Sequence, residues 1–101
     1  KTKTKKMENK INFDLDKMGS SDIQSMYKVI DAYKNLYIKE DIFETGFNTH
    51  SGYVYIALEN GISICSCFGQ EVDYLVTDYN DGEETFHDTY QEAIEHNNKI
   101  N

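Results

Sequence analysis

Two groups of side chains in this sequence have types and spacings that invite a chemical reading. The run Asp78-Tyr79-Asn80-Asp81-Gly82 has the oxygen-rich look of a calcium loop. It places glycine fifth where an EF-hand needs it sixth, and Thr89 stands where the bidentate glutamate belongs. A hairpin turn accounts for the same residues. Cys65 and Cys67, with His50 and His87, could in principle offer two sulfurs and two imidazoles to zinc. Cys-x-Cys inside an alternating run lacks the loop-borne spacing that structural zinc sites use. Two residues apart on a strand, both thiols point to one side, and a disulfide between them would close too tight a ring. Reduced, buried thiols packing as small apolar groups are therefore expected. Burial also disfavours the thiolate, which argues against a Cys–His nucleophile pair. His50, in a turn, and His96, near a helix end, read as surface residues, with His96 complementing the negative end of that helix. The sequence has no glycine-rich phosphate loop, no Ser–His–Asp spacing and no HExxH. No metal, no cofactor and no catalysis are expected.

The elements that must carry these residues can be read from the apolar pattern. Ile11, Phe13 and Leu15 alternate with polar residues, as a short strand or extended arm does. Gly19-Ser20-Ser21 breaks that pattern, and Ser21 with Gln24 reads as a capping box. Ile23, Met26, Tyr27, Ile30, Tyr33 and Tyr37 then recur at helical spacing, which predicts an amphipathic helix over 22–39. From Ile42 onward the pattern becomes a β-meander. Asn60-Gly61 marks a two-residue type I′ hairpin turn, Gly69-Gln70 and Asn80-Asp81-Gly82 mark two more, and Asn48 to Gly52 joins an earlier strand. Thr89 and Glu92 cap a closing helix with Tyr90, Ala93 and Ile94 on its apolar stripe. The predicted fold is α+β: an N-terminal amphipathic helix, a four- to five-stranded antiparallel meander, and a C-terminal helix packed on one sheet face. At 101 residues there is room for one core, so residues 11–101 are read as one domain behind a flexible basic tail at 1–10.

Those turns also imply a register, and opposed residues share a face. One face would collect Val54, Ile56, Leu58, Ser63, Cys65, Cys67, Val72, Tyr74 and Val76, joined by Phe43, Phe47 and Phe86. That is the expected core. The other would collect Tyr53, Tyr55, Ile62, Ile64 and Phe68 at its centre, with Glu44, Glu59, Glu71 and Asp73 around them. Ile42, Gly46, Ala57, Ser66, Leu75 and Thr77 complete it. A solvent-facing sheet surface is usually polar, whereas an apolar and aromatic centre inside a charged rim is the anatomy of an interface. Three coverings are open for it: the chain's own arm or C-terminal helix, a second copy, or a foreign partner.

Charge is divided along the chain: +4 over 1–10, zero over 11–39 and −12 over 40–101, for a formal total of −8. Arginine is absent, which removes the usual bidentate reader of phosphates and base edges. An acidic body repels nucleic acid, so direct nucleic-acid binding is not expected. Nothing approaches the roughly 20 apolar residues of a membrane span. The basic start leads into polar residues rather than an apolar signal region, and a cytoplasmic protein is expected.

In size and charge the chain resembles small phage-encoded anti-defence proteins, anti-CRISPR proteins among them, and the immunity proteins that neutralise toxic nucleases. The resemblance is compositional, spans the whole chain and transfers no residue role. It implies an acidic inhibitor that occupies a basic surface of another protein, such as one that handles nucleic acid, in the host cytoplasm. Acid clusters suit such a surface and speed encounter. Candidate contacts are the aromatic face and its rim, together with the turn acids Asp78, Asp81, Glu83 and Glu84. The alternative is a small self-associating protein that dimerises through the aromatic face.

Overall fold

The computed structural model describes residues 11–37 and 40–101. The basic tail expected at 1–10 lies outside the described residues, as do the last two positions of the helix predicted over 22–39. A short 3-10 turn, Leu15–Lys17, leads into helix α1, Ser20–Lys34. Five strands follow: β1 (Ile42–Asn48), β2 (Tyr53–Leu58), β3 (Ile62–Cys67), β4 (Asp73–Thr77) and β5 (Glu84–His87). Helix α2, Tyr90–Ile100, closes the chain. The strands form one open antiparallel sheet in sequence order, so each connection is a local hairpin. The α+β architecture is the one the apolar pattern predicts.

Helix α1 begins two residues earlier than the sequence suggests and ends at Lys34, short of the predicted residue 39. Gly19, not Ser21, is its N-cap, and the Asp22 carboxylate accepts a hydrogen bond from the Gly19 amide at 3.0 Å. That acid also sits where the helix dipole favours negative charge. The buried stripe runs through Asp22, Ser25, Met26, Val29 and Tyr33, while Tyr27 is exposed. The stripe read from the large apolar residues is thus rotated around the helix, because two small polar residues sit beneath it. At α2 the expected cap holds, with Thr89 accepting from the Glu92 amide at 3.1 Å.

Both helices pack on the same side of the sheet. Met26, Val29 and Tyr33 of α1 bury against Ile42, Val54, Ile56, Leu58 and Ile64. Ala93 of α2 buries against Ile62 and Val76, with Tyr90, Ile94 and Ile100 around them. Ile11 and Phe13 join the first of these clusters, so the N-terminal arm is on the helix side too. Among the described residues, no helix or strand lies over the other face.

The register corrects the sequence reading at three of four hairpins. Asn48 pairs with Tyr53 as expected. At Asn60-Gly61, however, Gly61 alone has a positive φ, of 92°, and its amide bonds the Leu58 carbonyl at 3.0 Å. This is the three-residue loop, a turn at Glu59-Asn60 followed by left-handed Gly61, in place of type I′. Ile56 therefore pairs with Ile64, and β3 is flipped relative to the expected register. At the next turn the left-handed pair is Phe68 and Gly69, with φ of 51° and 73°, in place of Gly69-Gln70. The ladder resumes at Cys65–Asp73, a second slip that restores the expected facing of β4. The third turn holds one residue more than expected, so Phe86 pairs with Leu75 and leaves the core side. An irregularity between Ile42 and Glu44 exchanges two further side chains: Ile42 is fully buried and Phe43 is exposed.

Candidate docking surface

The open face is built from alternate residues of all five strands. Glu44 and Gly46 come from β1; Tyr53, Tyr55 and Ala57 from β2; Ser63, Cys65 and Cys67 from β3; Asp73, Leu75 and Thr77 from β4; Glu84 and Phe86 from β5. Its centre is aromatic, sulfur-bearing and aliphatic, and its margin carries three carboxylates. None of these strand positions holds a lysine.

Local sequence explains how the rings lie. Tyr55 opposes Gly46, and a Cβ there would come within 2.6 Å of the Tyr55 hydroxyl. Without it, the phenol folds down across β1, and its hydroxyl donates to the Glu44 carboxylate at 3.0 Å. Tyr53 lies beside it, with ring centroids 5.6 Å apart and planes inclined by 30°. Burial pushes the Tyr53 phenol above its ordinary range, and its hydrogen bond to the Cys65 thiol adds to this. The Glu84 carboxylate contributes as well, although β5 is three strands from β2, which carries Tyr53. Cys65 is only 3% exposed, and burial pushes its thiol up to about 11, with the Tyr53 hydrogen bond opposing and Asp73 adding to the rise. The Cys65 thiol donates to the Asp73 carbonyl at 3.5 Å. A protonated thiol of this kind packs as an apolar group.

Several candidate contacts from the sequence are placed here and others are not. Tyr53, Tyr55, Glu44 and Asp73 share the open face as expected, and Glu84, read from the sequence as a turn acid, opens β5 on that face. Ile62 and Ile64 do not, because the β3 flip buries both completely beneath the helices. In exchange, Cys65 and Cys67, expected inside, line the open face, and Phe86 joins them at 57% exposure. Phe68 lies beyond the sheet proper, in the β3–β4 turn, where its amide bonds the Gly52 carbonyl at 2.9 Å. Glu59 occupies the β2–β3 turn, and Glu71 precedes β4 with its carboxylate 3.8 Å from the Lys28 ammonium. Asp78 and Asp81 accept hydrogen bonds from the Asn80 and Glu83 amides at 2.8 and 2.9 Å. They shape the β4–β5 turn, as the hairpin reading of that run requires, and Glu83 follows them in the same turn. The missed contact, Phe86, could be found only by counting four residues, not three, in this turn.

The four residues weighed for zinc are kept apart. Cys65 and Cys67 are on the open face, His87 is on the helix face of β5, and His50 is in the β1–β2 loop. His87 instead meets His96 of α2, with ring centroids 5.0 Å apart, and its Nε2 is 2.9 Å from the Thr85 hydroxyl. Among the described residues, no three His, Cys, Asp or Glu side chains gather as metal ligands. Among them, no helix is long and apolar enough to cross a membrane. Comparison of the chain with protein-family models, curated proteins and solved structures found no match.

Proposed function

We propose that this chain is a binding protein whose open sheet face docks on a basic surface of another protein, and that it inhibits or regulates that partner without chemistry of its own. The carrying observation is a face of Tyr53, Tyr55, Leu75 and Phe86 that no described helix or strand covers, framed by Glu44, Asp73 and Glu84 and with no lysine at its strand positions. Aromatic anchors inside a polar rim favour stable protein contacts, and matched charge speeds encounter and selects the partner. A second copy fits less well. A face-to-face pair would bring Glu44, Asp73 and Glu84 of both copies into one interface with no lysine at the strand positions to meet them, and each copy carries −8 overall. A nucleic acid is disfavoured for the same reason of sign. An enzyme that handles nucleic acid presents the lysine- and arginine-lined surface that this face complements. Anti-defence and nuclease-immunity proteins, which the chain resembles in size and charge, work on such targets, and that role would place it in the host cytoplasm.

The test uses tagged protein to capture partners from lysate of the source cells, at low and high salt. Tyr55→Lys and Phe86→Lys reverse the chemistry of the face. Tyr27→Lys, on the exposed side of α1, is the control. The expected result is one basic protein captured by the parent chain and the control, lost with both face variants, and weakened by salt. Capture indifferent to the face variants would overturn the proposal. So would sedimentation of the purified chain as a dimer that those variants split, which would give the face to a second copy.

A further inference from the structure

Part of the open face is not flat. Between β3, β4 and β5 lies a cleft of about 210 Å³, lined by Cys65, Cys67, Gln70, Glu71, Asp73 and Phe86. Its floor is the Cys65 thiol, neutral at physiological pH because burial pushes it up to about 11. One wall is the half-exposed Phe86 ring. Its acids differ in their commitments: the Glu71 carboxylate faces Lys28 on the helix side, at 3.8 Å. Asp73 acts instead on the Cys65 thiol, inside the cleft. Glu84, outside the cleft lining, adds negative charge to the same face and is felt electrostatically by the Tyr53 phenol. Among the described residues, no basic side chain lines the cleft.

We propose that this cleft receives an arginine side chain of the basic partner, with the guanidinium over the Phe86 ring and against the Asp73 carboxylate. The inference rests on the docking reading above and names the contact that would give it specificity. Three features match arginine in particular. An apolar, thiol-floored slot accepts the methylene stem. An aromatic face attracts a planar cation and stacks with it. A carboxylate offers the forked acceptor that guanidinium meets with two parallel hydrogen bonds. Lysine satisfies only the charge, and its ammonium is more strongly hydrated. Uncharged side chains would leave Asp73 buried against the partner without a counter-charge, which is costly.

The experiment titrates the full chain with N-acetyl-arginine amide, followed by amide chemical shifts. The N-acetyl amides of citrulline, an uncharged near-isostere, and of lysine are the comparisons. Saturable shifts at Cys65, Cys67, Asp73 and Phe86 are expected with the arginine probe, weaker ones with lysine and none with citrulline. Asp73→Asn should weaken the arginine probe by about tenfold or more, as expected for loss of a charge-assisted pair. Equal response to arginine and citrulline would overturn the proposal, as would shifts centred on the Asp78–Glu84 turn, or an Asp73→Asn variant that binds unchanged. Failure of the cleft is separable from failure of the docking reading. An unmoved cleft, with capture still abolished by Tyr55→Lys, overturns the arginine contact alone. A filled cleft, with capture indifferent to Tyr55→Lys and Phe86→Lys, overturns the docking surface and the partner's arginine together.

Discussion

Cys65 shows how far a residue's chemistry depends on which face it reaches. The sequence reading made it inert by placing it in the core; it is inert on the open face instead, shut in by its own neighbours. Burial does most of the work and the Asp73 carboxylate discourages negative charge on it, while the hydrogen bond that Tyr53 donates to its sulfur opposes both. A thiol moved from an ordinary 9.0 to about 11 has a thiolate fraction lower by roughly 100-fold near pH 8. In a Cys67→Ser background, iodoacetamide should therefore modify Cys65 about two orders of magnitude more slowly in the native protein than in urea. Equal rates in the two states would show the thiol to be open and ionisable, and the neutral cleft floor would be lost. Tyr55 makes a related point. Its ring is laid down by the absence of a side chain at Gly46, a detail visible in the sequence only once the β1–β2 register is known.

Among the elements, helix α1 is held to the sheet by a short polar chain as well as by apolar packing. The Gly69 amide donates to the Ser25 hydroxyl at 2.7 Å, and Ser25 lies 3.1 Å from the Ser66 hydroxyl. Ser66 in turn donates to the Gln70 carbonyl at 2.6 Å, which leaves Ser25 as donor between the two hydroxyls. Ser25→Ala removes the middle link and strands the part-buried Gly69 amide, so urea unfolding should show a loss of about 1–2 kcal/mol. A change within the scatter of a surface substitution would mean that water replaces the hydroxyl. Gly61 carries a separate expectation. Its left-handed backbone and the Tyr79 hydroxyl packed against it make Gly61→Ala cost at least about 1–2 kcal/mol in the same assay. An unchanged urea midpoint would show that the turn tolerates a side chain. These elements also mark what was legible. Strand and helix existence followed from alternation and from the 3.6 period, and the Thr89 cap followed from its residue type. Facing did not. Asn60-Gly61 is compatible with both a two- and a three-residue loop, and one residue of difference turns over all of β3. The slips at the β3–β4 and β4–β5 hairpins came from the same ambiguity, and the first of these cancelled the β3 flip at β4. The open face therefore kept its aromatic character while exchanging Ile62 and Ile64 for Cys65, Cys67 and Phe86.

For the whole molecule, the decisive fact is that two helices and the N-terminal arm all lie on one side of a single sheet. The charge division was available from the sequence, but which face would be left open was not, because either helix could have crossed. A thiol and several phenols taken partly out of water, on both faces of the sheet, have a consequence for stability across pH. Cys65 is raised to about 11, and Tyr33, Tyr53, Tyr55, Tyr74 and Tyr90 are all raised above 10.0, each chiefly by burial. A raised acid holds its proton more tightly when folded, so the unfolded chain releases protons first and gains from alkali. The contribution is complete below the unfolded values and is lost as pH climbs toward the folded ones. Stability should be level to about pH 9, fall first through Cys65, and then fall more steeply above about pH 10 as the tyrosines join. Urea midpoints from about pH 8 to about pH 10.5 would trace this, and Cys65→Ala separates the stages. That variant starts less stable for want of packing, so slopes rather than levels are compared. Its early decline, between about pH 9 and 10, should disappear while the later one remains. A flat profile across this window, or an early slope that survives in Cys65→Ala, would mean that the open face does not shield the thiol from water.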